Sequence, residues 1–379
     1  MEGKIIERKK DQNAIKELLG IFPVTAILGP RQVGKTTLAK TFRPDHVYDL
    51  ENPRDMALLE NPQLALEGLE GLIMIDEIQQ KAELFPLLRY LVDNKPKQRY
   101  LILGSASSSL RQQSGESLAG RIGYHYLTGL NLSETGKGSM ESLWLRGGFP
   151  RSFLTEKDSQ SMVWRSNFIS TFLEKDLKVL GVNIPSATMY RFWIMLSHYH
   201  GQTINYSELG RSFGISDKTA KHYISILEDT FMVRRLMPWH ANVGKRLVKN
   251  PKIYLRDSGI FHALQSINTI RELKTNPKLG ASWEGFAMEE LVSVLGKRNS
   301  EVFFYGAHAG VELDLYWQGK GKKMGAEFKY MDAPKTTKSM HHAIADLGLD
   351  ELWVVYPGDR KYRLTEKVLV VPLGEVGEG

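Results

Sequence analysis

One glycine-containing segment constrains the fold more than any other part of the chain. Residues 29–36 read GPRQVGKT, in which two glycines stand five positions apart and the second is followed by Lys-Thr. The apolar run at residues 24–28 (VTAIL) predicts a buried strand, and residues 37–40 (TLAK) predict the opening of a helix. A strand, a glycine turn and a helix at this spacing predict a loop whose backbone N–H groups cradle phosphate oxygens.

The loop assigns roles to single residues. We expect Lys35 to reach the β- and γ-phosphates and the Thr36 hydroxyl to bind magnesium, so the predicted cofactors are ATP and Mg²⁺. Arg31 is a second candidate for a phosphate contact. The residues predicted to line the nucleotide are Gly29, Pro30, Arg31, Gln32, Val33, Gly34, Lys35 and Thr36.

A second motif lies forty residues further on. Residues 72–77 read LIMIDE, an apolar run that ends in two carboxylates. Such a run predicts a parallel strand with both acids at its carboxyl end, where ligands of these sheets bind. Asp76 is the predicted magnesium ligand and Glu77 the predicted general base for water. Taken alone, the pair would fit a solvated acidic strand end better, but the presence of the loop at residues 29–36 favours the magnesium site.

Two further residues, Ser105 and Arg121, are candidates for the catalytic site. Residues 100–105 (YLILGS) predict a buried strand ending at Ser105, whose hydroxyl would contact the γ-phosphate or its water; a plain strand end explains it as well. Arg121, just before the next predicted strand, is a candidate arginine finger acting in cis or from a neighbouring subunit. A surface ion pair is the competing interpretation.

Composition sets limits on the class of protein. The chain has 379 residues, a net charge of +7 and no cysteine, which excludes disulfides and makes a zinc site improbable. The basic balance weakly favours an anionic partner such as nucleic acid. No apolar run is long enough to span a membrane, and the amino terminus lacks the apolar core of a signal peptide. The expected location is the cytoplasm.

The pattern along the chain predicts an α/β protein of several domains. Apolar strands alternate with helical stretches over 24–130, which predicts a doubly covered parallel sheet of the P-loop NTPase type. The predicted boundaries are 1–140 for the ATPase core, 141–187 for a helical lid or linker, 188–270 for a winged helix and 271–379 for the carboxyl-terminal domain.

The winged-helix prediction rests on element order. Helical patterns at 191–199, 205–213 and 218–230 precede a strand, with a turn at 214–216 between the last two helices. Its exposed cations suggest DNA contacts, although an internal clamp is an equally good interpretation. The candidate DNA contacts are Lys218, Lys221, Lys245 and Arg246.

The carboxyl-terminal part carries a different set of charged residues. Asp314 on one predicted strand and Glu327-x-Lys329 on the next have the order found in metal-dependent nucleases. Alternation places Glu327 and Lys329 on one face, and Glu284 from the preceding helix would complete a second metal site. A cross-strand salt-bridge cluster is the simpler alternative.

With these motifs in view, the chain resembles the prokaryotic ATPases that join an AAA-like P-loop domain, a winged helix and a DUF4143-type domain. The segments that carry the resemblance are GPRQVGKTTL, IMIDEIQ, LILGSAS with LAGR, GGFP, FISTFLEKDL and VELDL with AEFKY. It implies ATP and magnesium, phosphate contacts that extend to Thr37, a relation to signal-transduction (STAND) ATPases, and a restriction-endonuclease-like carboxyl-terminal fold.

Three hypotheses for function remain open. The first is an ATPase that couples nucleotide state to a conformational change and associates with double-stranded DNA. The second is an ATP-regulated, metal-dependent nuclease. The third is a STAND-like switch that binds a protein partner or forms a homo-oligomer without DNA.

Overall fold

The computed structural model describes residues 5–105, 108–240, 247–307 and 310–376, and only the backbone of residues 108–111. The chain forms two compact units. The first comprises Met1–Gly129 together with Asp229–Phe231, and the second comprises Leu130–Glu228 together with Met232–Gly379.

The first unit contains a five-stranded parallel sheet with the order β2-β3-β4-β1-β5. Its strands are β1 (Val24–Gly29), β2 (His46–Asp49), β3 (Gly71–Asp76), β4 (Gln98–Ser105) and β5 (Ile122–Tyr126). The helices are α1 (Lys9–Ile21), α2 (Lys35–Lys40), α3 (Pro53–Leu58), α4 (Pro62–Leu66), α5 (Leu84–Asn94) and α6 (Ser108–Ser117). The predicted parallel α/β sheet is confirmed.

Successive side chains along each buried strand point to opposite faces of the sheet and join different hydrophobic clusters. Both faces of the sheet are therefore covered. Along β3, Ile73 and Ile75 pack with Leu84 and Leu88 in one cluster. Met74 lies in the other cluster. The interior strand β1, between β4 and β5, is buried at every position, as its apolar sequence predicts. The sheet therefore holds its carboxyl-end loops on a rigid support.

The second unit begins with a helical region, and it has further helices between its later strands. Its helices are α7 (Leu132–Thr135), α8 (Met140–Arg146), α9 (Pro150–Phe153), α10 (Asp158–Thr171), α11 (Leu177–Val179), α12 (Ser186–His198), α13 (Tyr206–Phe213), α14 (Asp217–Asp229), α15 (Ser258–Leu264), α16 (Ile270–Thr275), α17 (Leu279–Leu295) and α18 (Lys338–Leu347). A π-helical turn, Phe172–Asp176, joins α10 to α11. The ring of Phe172 packs against Trp193 of α12 in the core of this region.

Two sheets complete the second unit. The first, with the order β6-β8-β7, is antiparallel and contains β6 (Gln202–Thr203), β7 (Val233–Leu236) and β8 (Lys252–Leu255). The second has six strands in the order β13-β14-β12-β11-β10-β9. Those strands are β9 (Val302–Ala307), β10 (Val311–Gly319), β11 (Lys322–Phe328), β12 (Glu351–Tyr356), β13 (Tyr362–Arg363) and β14 (Val368–Pro372).

The register between β9 and β10 is irregular. Leu313 pairs with Tyr305 and Tyr316 pairs with Phe303, so β10 has one more residue than β9 in this interval. A bulge of this kind re-aims the side chains within it. Asp314 lies in the bulge.

Candidate functional site

The segment 29–36 forms a tight turn between β1 and α2. The turn contains two left-handed residues, Gln32 with φ of 62° and Gly34 with φ of 100°. Gly29 is needed for a different reason: it lies in β1, and a Cβ there would stand 2.4 Å from the carbonyl oxygen of Leu127. Glycine at 29 therefore lets β1 approach the segment after β5, and glycine at 34 lets the chain enter α2.

Lys35 is buried beneath the turn. Its Nζ donates hydrogen bonds to the carbonyl oxygens of Gly29, at 3.1 Å, and Pro30, at 2.8 Å. The ammonium is thus held inside the curve of the loop, where it adds a positive charge to the backbone N–H groups of the α2 amino end. Thr36 and Thr37 follow on the exposed side of α2.

The second motif meets the loop at the end of β3. The Thr36 hydroxyl donates to Asp76 Oδ2 at 2.7 Å, and the Glu77 amide donates to Asp76 Oδ1 at 2.9 Å. Burial raises the pKa of Asp76, and the hydrogen bond from Thr36 opposes that rise. A hydroxyl and a carboxylate side by side are oxygen ligands suited to Mg²⁺.

Glu77 is held in an uncommon backbone conformation. Its φ of 54° is left-handed, and its carboxylate accepts a hydrogen bond from the Gln79 side chain. A non-glycine residue in this region costs free energy and is often found at functional sites. Gln79 was not among the predicted site residues, although its position two residues after Glu77 in the IDEIQ segment was a readable signal.

Ser105 lies directly beside the loop. It ends β4 and pairs in register with Gly29 of β1. Its hydroxyl is buried and has no hydrogen-bond partner among the residues that the structure describes. Ser105 therefore lies next to the residue at which the loop begins, and its contact with a phosphate or a water stays a prediction.

The structure does not place Arg121 near this loop, so a contact in cis is wrong. Its carbonyl oxygen accepts from the amide of Val24, at the amino end of β1, whereas the loop follows the carboxyl end about 17 Å away. The guanidinium forms a two-pronged ion pair with Asp93, at 2.6 and 2.9 Å. A role in a second subunit stays a prediction. Arg31 forms an ion pair with Glu51.

The residues predicted to form a second metal site come together in the second unit. Lys329 Nζ lies 2.7 Å from Glu327 Oε2. Asp314 Oδ2 accepts from the amide of Phe328 at 3.1 Å, which ties β10 to the end of β11. Within the described ranges, no group of three or more Asp, Glu or His side chains is arranged to hold a metal ion.

The residue that completes this cluster is Lys252 of β8, which the sequence pattern placed among the basic residues of the predicted wing and not in this cluster. Its ammonium lies 3.4 Å from Glu284 Oε1 and 3.5 Å from Asp314 Oδ1, and it also pairs with Glu312. Tyr254, two residues along the same face of β8, donates to Glu284 Oε1 at 2.5 Å. We call Lys252, Glu284, Asp314, Glu327 and Lys329 the carboxylate–lysine cluster.

Burial governs the acidity of the cluster. It raises the pKa of Glu284 to about 7 and that of Glu327 to about 8, in each case reinforced by the charge of Asp314. Burial alone would lower the pKa of Lys252, but Tyr254 and the surrounding carboxylates outweigh it and raise that pKa well above its ordinary value. Lys252 is therefore an ammonium ion at neutral pH.

The candidate DNA contacts are only partly described. Lys218 and Lys221 are exposed on α14, and the Lys221 ammonium lies 5.0 Å from the ring centre of Tyr206. Lys245 and Arg246 lie outside the described residues. In the part of the chain that the structure covers, no helix has the length and apolar character needed to cross a membrane.

Comparison with known proteins agrees with this architecture. Residues 22–136 match the family described as an AAA domain, residues 137–271 a domain of unknown function (DUF8612), and residues 279–376 a domain of unknown function (DUF4143). The Walker-type ATPase PABY2304 of Pyrococcus abyssi has a similar fold, with a TM-score of 0.50 and 16% identity over 69% of this chain and 96% of that chain. The fold and the loop define a P-loop ATPase.

Two mycobacterial relatives extend the similarity to almost the whole chain. They are the uncharacterized proteins Rv2008c of Mycobacterium tuberculosis and Mb2031c of Mycobacterium bovis. Each is 44% identical over 376 residues, which is 98% of this chain and 85% of the relative. The chain belongs with them to the family of P-loop ATPases that carry an AAA domain and a carboxyl-terminal DUF4143 domain.

Proposed function

We propose that this protein hydrolyses ATP with magnesium and uses its nucleotide state to change how the second unit meets DNA. The observation that carries the first part is the hydrogen bond between Thr36 and Asp76. It brings the phosphate loop and the acidic strand end together at the edge of a parallel sheet where nucleotides bind. Thr36 and Asp76 would hold Mg²⁺, which polarises the phosphates and offsets their charge when bound.

Glu77 and its neighbours supply the proton chemistry in this proposal. The Glu77 carboxylate orients and deprotonates a water, and the hydrogen bond from Gln79 fixes the direction of that carboxylate. The hydroxyl of Ser105, in register with Gly29, has no hydrogen-bond partner among the described residues and would be available to the terminal phosphate or to the water. Lys35 stabilises the negative charge on the β- and γ-phosphates.

Phe231 supports a route for coupling. The segment Asp229–Phe231 begins at the last residue of α14 but belongs to the first unit. Its Phe231 ring lies 6.2 Å from the ring of Tyr126, centre to centre, and Tyr126 pairs with Leu28 just before the phosphate loop. Phe231 is also left-handed, with φ of 63°. A movement of the phosphate loop would be transmitted to the end of α14 through the rings of Tyr126 and Phe231.

DNA is the proposed partner because of the order and charge of the elements around α14. The succession α12, β6, α13, α14, β7, β8 fits a winged-helix plan, in which α14 would be the helix that enters the major groove. Lys218 and Lys221 are exposed on α14 and would contact phosphates. This placement supports binding without strong sequence preference.

Steady-state ATP turnover tests the first part. Wild type is compared with Glu77→Gln and with Glu60→Gln, which changes an exposed carboxylate of the same unit. We expect magnesium-dependent turnover in wild type and Glu60→Gln and a loss of at least about 100-fold in Glu77→Gln. Equal turnover in all three proteins would contradict the assigned base.

Salt-dependent DNA binding tests the second part. Removing two phosphate contacts in Lys218→Ala/Lys221→Ala should weaken duplex binding and reduce the slope of log affinity against log salt by about 2. Lys335→Ala, an exposed lysine elsewhere in the same unit, is the matched control. Identical slopes in the double variant and wild type would remove α14 from the proposed interface.

A further inference from the structure

Lys252 occupies the centre of the acidic groups in the carboxylate–lysine cluster. It comes from β8, in a different sheet from Asp314 and Glu327, and β8 pairs with β6 and β7 on either side. Only 3% of the Lys252 side chain is exposed, and its ammonium also lies 5.7 Å from the ring centre of Phe304. The ammonium is therefore almost fully enclosed by the described residues.

The position of the ammonium is the one that a metal ion would need. Magnesium bound by Glu284 and Asp314 would sit about 2.1 Å from an oxygen of each. Lys252 Nζ already stands 3.4 Å from Glu284 Oε1 and 3.5 Å from Asp314 Oδ1. A divalent ion between the same two oxygens would be in contact with the ammonium, with like charges in a poorly solvated space.

The remaining bonds leave these carboxylates little need for a metal. Asp314 Oδ2 accepts from the Phe328 amide, Glu284 accepts from Tyr254, and Glu327 is paired with Lys329. The ammonium ions of Lys252 and Lys329 therefore both face the buried acids. The cluster is balanced by the chain's own groups.

We infer that Lys252 is the resident cation of the carboxylate–lysine cluster and keeps divalent metal ions out of it, so that the carboxyl-terminal domain does not cleave DNA by a metal-dependent mechanism. In this role Lys252 links the three-stranded sheet of β6, β8 and β7 to the six-stranded sheet. Replacing it by an apolar side chain opens a divalent-ion site that the wild-type protein lacks.

The first test uses the full chain without nucleotide, so that the phosphate loop has no phosphates with which to hold a metal. Mn²⁺ binding is measured by electron paramagnetic resonance for wild type, Lys252→Met and Lys252→Met/Asp314→Asn. We expect Lys252→Met to bind one Mn²⁺ at least about 10-fold more tightly than wild type, and Asp314→Asn to abolish the gain. Equal Mn²⁺ binding by wild type and Lys252→Met would overturn the inference.

A second test does not depend on the folding of a Lys252 variant. Supercoiled plasmid is incubated with wild type and Mg²⁺ or Mn²⁺, with and without ATP, and with Asp314→Asn as the matched protein. The inference predicts that wild type nicks no more plasmid than Asp314→Asn does. Nicking by wild type that Asp314→Asn lacks would overturn it, whatever the result for ATP turnover.

Discussion

The Thr36 hydroxyl donates a hydrogen bond to Asp76 Oδ2 at 2.7 Å, which joins the first turn of α2 to the end of β3. Forty residues separate the two in sequence. Their contact follows from the strand order, because β1 and β3 flank β4 and all three strands are parallel. The magnesium site of the proposed ATPase depends on this pair.

Replacing Thr36 with Val should remove one magnesium ligand and leave the buried Asp76 carboxylate without its hydroxyl donor. We expect Thr36→Val to lose at least about 10-fold in magnesium-dependent ATP affinity. Thr37→Val is the matched control, because Thr37 is an adjacent exposed threonine of the same helix. Isothermal titration with Mg-ATP measures both, and an equal loss in the two variants would contradict the assignment of Thr36.

Gly29 should tolerate no side chain. A Cβ at this position would lie 2.4 Å from the Leu127 carbonyl oxygen, so Gly29→Ala must shift β1 or the segment after β5. We expect a loss of stability of about 1–3 kcal/mol, together with weaker ATP binding.

Gly20→Ala is the control for that substitution. Gly20 lies in α1, and its Cβ would meet no atom within 4 Å. Alanine in a helix is favoured over glycine, so this variant should gain up to about 1 kcal/mol. Chemical denaturation measures the stability of both variants. Equal denaturation midpoints for Gly29→Ala and Gly20→Ala would show that the close approach of the Leu127 carbonyl does not require glycine at position 29.

Glu290 should make the protein less stable as pH rises. It is buried, and its carboxylate accepts from the amide of Leu132 at 2.9 Å. Burial raises its pKa from 4.5 to about 8, so the folded state holds a proton that the unfolded state loses above about pH 4.5. The contribution of Glu290 to the free energy of unfolding is therefore greatest below about pH 4.5. It falls as the pH rises toward 8, by at most about 5 kcal/mol.

Glu290→Gln keeps an acceptor for Leu132 and cannot ionise. We expect its unfolding temperature to fall less than that of wild type between pH 6 and pH 9. The decline should persist in part, because the pKa values of Glu284 and Glu327 are also raised, to about 7 and about 8. Glu366→Gln, at an exposed position, should follow wild type. Parallel curves for Glu290→Gln and wild type would argue against a buried ionising Glu290.

Phe231 should matter for coupling more than for hydrolysis. Phe231→Ala removes the ring that packs against Tyr126, so basal ATP turnover should stay within about twofold while stimulation by duplex DNA is lost. Tyr90→Ala, at an exposed aromatic residue of the first unit, should retain the stimulation. Full stimulation in Phe231→Ala would exclude this route.

Much of the first unit could be predicted because its signals are local. The apolar strands, the glycine turn and the LIMIDE run each lie within about ten residues, and strand order then brings them together. Helix boundaries were also readable where a cap defines them: Asn205 accepts from the amide of Glu208, and Ser216 accepts from that of Thr219.

Contacts between distant segments could not be predicted in the same way. Lys252 lies 32 residues before Glu284 and 62 before Asp314, in a segment whose basic residues predicted a wing. Its burial against carboxylates results from the pairing of two sheets and from the bulge that re-aims Asp314. For Arg121, by contrast, a contact in cis could have been excluded from the sequence, because a residue just before a strand of a parallel sheet lies at the amino end and the phosphate loop follows the carboxyl end.

ATP turnover measured with and without duplex DNA, for wild type and Glu77→Gln, tests the central claim most directly. The account predicts magnesium-dependent turnover that DNA stimulates in wild type, with stimulation falling steeply as salt rises, and no turnover in Glu77→Gln under either condition. Turnover that depends on Glu77 but is indifferent to DNA would contradict the coupling to DNA and favour a switch that acts on a protein partner.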